Sequence, residues 1–138
     1  MDCGAAAELD GPVSRARVVN APALPPPSGF SHAVAANETV YLAGQIGTGE
    51  TLAEQFDAAA ANLLTALAAA GGQPRDLVSL QVFTTDVAEY KRSLTALAHI
   101  WRRRFGHHYP AMGLFGVSEL YVAEAQVELM GVAVLERT

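Results

Sequence analysis

Leu77-Val78-Ser79-Leu80-Gln81-Val82-Phe83-Thr84-Thr85 is the stretch whose reading decides the fold. It is short, rich in β-branched and apolar residues, and lies between two helical patterns, which marks a buried strand. Alternation places Val78, Leu80 and Val82 on one face and Ser79, Gln81 and Phe83 on the other. Both sets are largely non-polar, so a sheet built around this strand needs cover on two sides.

Helices flank it. Upstream, Thr51 and Glu54 have the spacing of a capping box. Leu52, Phe56, Ala60, Leu63, Leu67 and Ala70 then form one stripe at helical period, and Gly71-Gly72 ends it. Downstream, Asp86 and Glu89 repeat the offset; Tyr90, Leu94, Leu97, Trp101 and Phe105 mark the apolar face, and Gly106 closes the helix. Arg102-Arg103-Arg104 falls in the last turn, where cations are favourable against the helix dipole.

Farther out, Arg17 to Asn20, 30–36, 39–45, Gly113 to Val117 and Ala125 to Leu135 read as strands, with a turn at Ala36-Asn37-Glu38. Pro22, Pro25, Pro26 and Pro27 make Ala21 to Gly29 an extended connector. Residues 1–15 read as a flexible tail before a single domain over 16–138. The order predicts an α+β fold, a mixed sheet with two helices on one face. No third helix is available for the other face, so self-association is the economical cover.

Composition excludes several classes. The chain has 138 residues, 17% charged, with a formal net charge of -5. An acidic protein whose one basic run is three arginines long is a poor polyanion binder, so no nucleic-acid partner is expected. Cys3 is the single cysteine, which excludes an internal disulfide and fits a reducing compartment. Met1 to Gly11 lacks a signal-peptide pattern, and no segment reaches the about 20 apolar residues of a membrane span. A cytoplasmic location without membrane contact is expected.

Metal and cofactor motifs are missing too. His32, His99, His107 and His108 do not fall at ligand spacings. Gly44-Gln45-Ile46-Gly47-Thr48-Gly49 lacks the lysine of a phosphate loop, and no nucleophile elbow is present. No cofactor and no metal are expected. One carboxylate stands out: Glu128, between Val127 and Leu129, shares a strand face with Gln126, Met130, Val132 and Val134. A carboxylate there must be exposed at an edge, paired, or lining a cavity. In a cavity, desolvation would suit it to acid–base work.

Four segments, in order, resemble the RidA (YjgF) family. They are Val40-Tyr41-Leu42-Ala43-Gly44-Gln45-Ile46, Val82-Phe83-Thr84-Thr85-Asp86, Phe105-Gly106 followed by Tyr109-Pro110-Ala111, and Val127-Glu128 leading into Gly131-Val132-Ala133-Val134. The resemblance implies a chorismate-mutase-like fold and a homotrimer with a central barrel. It also implies small-molecule sites in clefts between subunits. Archetypal members hydrolyse imines and enamines such as 2-iminopropanoate to ketoacid and ammonia.

Carried over by position, the family's strand glutamate is Glu128. Its carboxylate-clamping arginine is Met112, its tyrosine Phe30, its serine Ala43 before Gly44, and its helix asparagine Leu94. Methionine offers neither charge nor a fork of donors, so the expected substrate is an imine or enamine without a clamped carboxylate. Phe30, Met112 and Leu114 would wall the cleft. Gly113 would let a bulky ligand approach the backbone, and His32 rather than His99 would partner Glu128 in proton transfer. Two other readings stay open: an isomerase, cyclase or lyase using Glu128, and a non-catalytic binding or chaperone-like trimer whose cleft holds an apolar ligand or partner. A ribonuclease, also described in the family, fits the acidic balance least.

Overall fold

The computed structural model describes residues 16–136; the expected tail over 1–15, with Cys3, lies outside them. In chain order the elements are β1 (Ala16–Val19), β2 (Ala33–Ala36), β3 (Thr39–Gln45), α1 (Leu52–Ala69), a 3-10 turn (Pro74–Asp76), β4 (Leu77–Thr84), α2 (Val87–Arg92), α3 (Leu94–Phe105), β5 (Ala111–Gly116) and β6 (Val127–Val134). One six-stranded sheet has the order β1-β2-β3-β6-β4-β5. All neighbours are antiparallel except β4 and β5, which the α2–α3 crossover makes parallel. This is the expected α+β arrangement with its two main helices on one face. No helix among the described residues is long and apolar enough to cross a membrane.

The Thr51–Glu54 box fixes the start of α1. Glu54 donates its backbone N–H to Thr51 Oγ1 at 3.1 Å, and the Glu54 carboxylate accepts from the Thr51 N–H at 3.3 Å. Leu52, Phe56, Ala59, Ala60, Leu63, Ala66 and Leu67 are buried, and α1 packs on β3 and β6. The alanines in that stripe let the helix sit close to the sheet, while each large side chain contributes about 1.5–3 kcal/mol by burial. At the far end Gly71, at φ 92°, turns the chain, and the Gly72 N–H donates to the Leu67 carbonyl at 2.9 Å.

The second helical pattern is two helices rather than one. Its Asp86 cap is present, with the Glu89 N–H donated to Asp86 Oδ1 at 3.0 Å. The Glu89 carboxylate, however, turns to Arg92 and the Ser93 hydroxyl instead of closing a box. Ser93 breaks the path: its hydroxyl donates back to the Glu89 carbonyl at 2.9 Å and its ψ rises to 7°. Leu94, expected on the core stripe, begins α3 more than half exposed. Leu97, Ile100, Trp101 and Phe105 are the buried face.

A bulge changes the sides of β4. Its register with β6 shifts between Leu77 and Ser79, so Val78 and Ser79 both turn away from the core. Val78 therefore leaves the face of Leu80 and Val82, where alternation had put it, and joins Gln81 and Phe83. With Tyr41, Phe115, Met130 and Val134 exposed on β3, β5 and β6, that outer face is apolar and carries no helix.

Charge ties the helical layer together. Asp57 on α1 accepts from Arg104 at 2.7 Å and from Arg103 at 3.0 Å, both on α3. The arginine run thus has a cross-helix role beyond the dipole. The Arg104 hydrogen bond, outweighing partial burial, holds the Asp57 carboxyl below its ordinary range. A depressed carboxylate adds stability above its unfolded value of about 3.9, and that stability is lost as pH falls through the folded value. Asp57→Asn is expected to cost about 1 kcal/mol in urea unfolding at pH 7, with the difference from wild type shrinking toward pH 3.

Candidate functional site

Glu128 faces outward from β6, with Val127 and Leu129 buried on the helix side. Across the ladder it is level with Phe83, whose ring stacks on Phe115 with centroids 5.7 Å apart. On its other side β3 shifts register between Leu42 and Gln45, the interval that holds Ala43 and Gly44. The Glu128 carboxylate lies against Gly44 so closely that a Cβ there would fall inside it. Gly44 is thus needed for the carboxylate to lie flat on the strand.

An open cavity of about 650 Å³ stands over this point, walled by Phe30, Ala43, Gly44, Tyr121, Glu128 and Met130. Partial burial pushes the Glu128 carboxyl above its usual value. Glu128 forms no hydrogen bond or ion pair with any described residue, so nothing among the described residues offsets that desolvation. A desolvated, unpartnered carboxylate at a cavity wall can accept a proton from water or return one to a ligand.

His32 is not placed as its proton partner. The ring is buried; Nδ1 accepts the Ala21 N–H at 3.0 Å, and Nε2 lies 2.9 Å from the Pro25 carbonyl. Accepting from a backbone N–H requires a bare Nδ1, which assigns the proton to Nε2 and makes it the donor to Pro25. With both nitrogens committed, and Asn20 Oδ1 accepting the His32 N–H at 2.9 Å, the residue pins the proline strap to β2. Phe30 lies on that strap rather than on the expected strand over 30–36, its ring edge-on to His32 at 6.2 Å. The His108 ring lies 2.6 Å from the Leu77 carbonyl.

Met112 stands elsewhere. In the β4–β5 register Met112 and Leu114 are level with Leu80 and Val82, the helix side of the sheet. Met112 lines a groove of about 280 Å³ with Leu94, Trp101 and Tyr109. Leu114 lines neither this groove nor the Glu128 cavity. Gly113 does not open a path to the backbone, because the Phe115 ring of the same strand covers it. Glu128 and Met112 therefore face opposite sides of one sheet, and within one chain they share no cleft.

Other contributors carried no sequence signal. Tyr121 is fully exposed on the loop before β6 and borders the Glu128 cavity. Buried Gln55 fastens that loop: its amide donates to the Gly49 and Glu124 carbonyls, both at 3.2 Å, and its oxygen accepts the Gln126 N–H at 2.8 Å. The glycine run after β3 serves packing, since a Cβ at Gly47 would strike the α1 backbone at Ala59. Among the described residues no three His, Cys, Asp or Glu side chains gather as a metal cage.

Known proteins resemble this chain in both sequence and fold. A model of the family described as endoribonuclease L-PSP matches residues 20–135. A 2-iminobutanoate/2-iminopropanoate deaminase of Dermatophagoides farinae is 29% identical over 133 residues, covering 90% of this chain and 100% of that protein. An L-PSP protein of Entamoeba histolytica superposes with a TM-score of 0.77 at 29% identity, over 87% of this chain and 99% of that one. RidA from the Antarctic bacterium Psychrobacter sp. gives 0.76 at 24% identity, over 86% and 99%, a likeness of fold.

The Gly44–Glu128 contact makes a direct test. Gly44→Ala should cost about 1–3 kcal/mol by overpacking, measured by denaturant unfolding. Glu128→Ala in the same chain should recover most of that loss. Additive effects of the two changes would show that the carboxylate does not lie on Gly44.

Proposed function

The chain belongs to the endoribonuclease L-PSP family, the YjgF/RidA group, and on that footing we propose that it is a small-molecule enzyme acting on an imine or enamine. The unit is residues 16–138 as one domain, assembled as a homotrimer with sites between subunits. One observation carries the reading: Glu128, a half-buried carboxylate without a partner among the described residues, at the wall of an open and largely apolar cavity.

In this reading the carboxylate takes a proton from water, and the oxygen attacks the imine carbon. The proton then passes to nitrogen to give a carbinolamine; the carboxylate moves the hydroxyl proton to nitrogen as the carbon–nitrogen bond breaks, and ammonia leaves a carbonyl product. Burial supports the role, because a carboxylate raised above its usual value is the stronger base near neutral pH. Phe30, Ala43, Gly44 and Glu128 form one half of the cleft. Leu94 and Met112, on the other side of the sheet, form the half that a neighbouring subunit receives. The uncovered apolar face of Tyr41, Phe115, Met130 and Val134 favours such an assembly. His32 enters as a positioning residue for Phe30, and Gly113 and Leu114 carry no ligand role. The name of the Dermatophagoides farinae relative supports ammonia-releasing chemistry; Met112 argues for a substrate other than one with a carboxylate clamped at that position.

The test is ammonia release from freshly generated imines. Wild type is expected to accelerate release from N-unsubstituted imines with apolar carbon substituents and to act poorly on 2-iminopropanoate. Glu128→Gln should lower turnover by about 10²–10⁴, while Met112→Arg should raise kcat/KM on 2-iminopropanoate by about ten- to a thousandfold. The acid limb of kcat/KM should lie above the usual carboxylate value, with activity falling as pH drops through it. A trimer that accelerates none of these reactions would instead be the non-catalytic binder that the apolar cavity walls also suit.

A further inference from the structure

The groove beside Met112 contains one charge, and no described residue pairs with it. Arg102 is the only ionic side chain among its lining residues. Its neighbours Arg103 and Arg104 are both spent on Asp57. Arg102 forms no ion pair or hydrogen bond with any described residue. In a chain with 14 acidic side chains against 9 Lys and Arg, an arginine left open over an apolar groove stands out. The helix dipole accounts for cations at this end of α3 but not for the difference between Arg102 and the two beside it.

The groove's walls complete the description. Trp101 and Tyr109 stack at 6.2 Å, 9° from parallel, with Leu94 and Met112 alongside. Flat aromatic walls with a guanidinium at the rim favour a ligand that has an apolar body and a planar anion, since the guanidinium fork pairs with carboxylate oxygens two at a time. Arg102 is eight residues beyond Leu94 on α3, about 12 Å along the axis at 1.5 Å per residue.

We propose that Arg102 binds the acid group of the ligand, which is an aromatic or aliphatic carboxylic acid whose carboxylate stands away from the reacting carbon. The anion site belongs to one chain; its membership of the reaction cleft rests on the function proposed above. Met112 then leaves the reacting end without a clamp while the ligand stays anchored at its other end.

Trp101 is the single tryptophan and lies in the groove, so its fluorescence reports occupancy directly. The probes are 3-phenylpropanoate and its neutral counterpart 3-phenylpropanamide, titrated into the full chain. Wild type is expected to bind the acid about tenfold or more tighter than the amide. Arg102→Gln should erase that preference with the amide's affinity unchanged, and Arg103→Gln should keep it. Equal affinity for acid and amide in wild type, a preference that survives Arg102→Gln, or no response of Trp101 to the acid overturns the proposal. Glu128→Gln separates the two ideas: it should abolish ammonia release while leaving the acid preference intact. A wild type that releases no ammonia from any of the imines yet keeps the acid preference would remove the proposed reaction and leave the acid site standing.

Discussion

A six-stranded sheet with apolar residues on both sides needs two layers of cover, and this chain has helices for one. α1 fills the middle of that one side, over β3 and β6, and α3 lies against α1, tied to it through Asp57. Everything else in the architecture follows from where the second cover comes from. The outer face keeps Tyr41, Val78, Met130 and Val134 at the surface, a patch with no partner in the described chain. Such a face is costly in water and is ordinarily buried between subunits. The candidate carboxylate lies on that same face, so the need for cover and the chemistry share one surface.

The residues of the candidate site depend on backbone proximity more than on side-chain bonds. Gly44 has no Cβ, which is the space that Glu128 occupies. Nothing else in the described chain touches the carboxylate oxygens with a hydrogen bond, so its protonation responds to whatever enters the cavity. The strap that carries Phe30 is held by backbone contacts to one histidine ring, which keeps an aromatic wall in place without adding a charge. Such a wall selects by shape and hydrophobicity, and polar discrimination must come from the ligand's other end.

Much of this was legible in the residues. The Thr51–Glu54 box, the glycine pair after α1 and the β3 limits of 39–45 each rest on a local physical rule, and each stands in the structure as read. The excess of apolar faces over helices followed from counting. Other features depend on distant partners or on parity. The bulge at Val78 and Ser79 inserts one residue without any local marker, and every side-chain direction before it reverses. The break at Ser93 is invisible to periodicity, because the apolar spacing runs through it; a hydroxyl bonded back to Glu89 decides it. The His32 ring is settled by the backbone of Ala21 and Pro25, eleven and seven residues away, which only the folded strap brings near. That Met112 and Glu128 lie on opposite sides follows from the register of three strands together.

The strand order has a further consequence for how the chain is made. β6 is the last strand of the sheet to leave the ribosome, yet it sits in the middle, between β3 and β4. Until it arrives, the β1-β2-β3 sheet and the β4-β5 pair have no shared neighbour, and α1 lacks half of its floor. Folding of this sheet is therefore late relative to synthesis and relies on contacts distant in sequence, the kind that form slowly. The earlier strands wait with open edges, which is when an apolar sheet is most prone to pair with the wrong chain. The strand that ends this wait also carries Glu128, so the structure closes and gains its candidate reactive group in the same event.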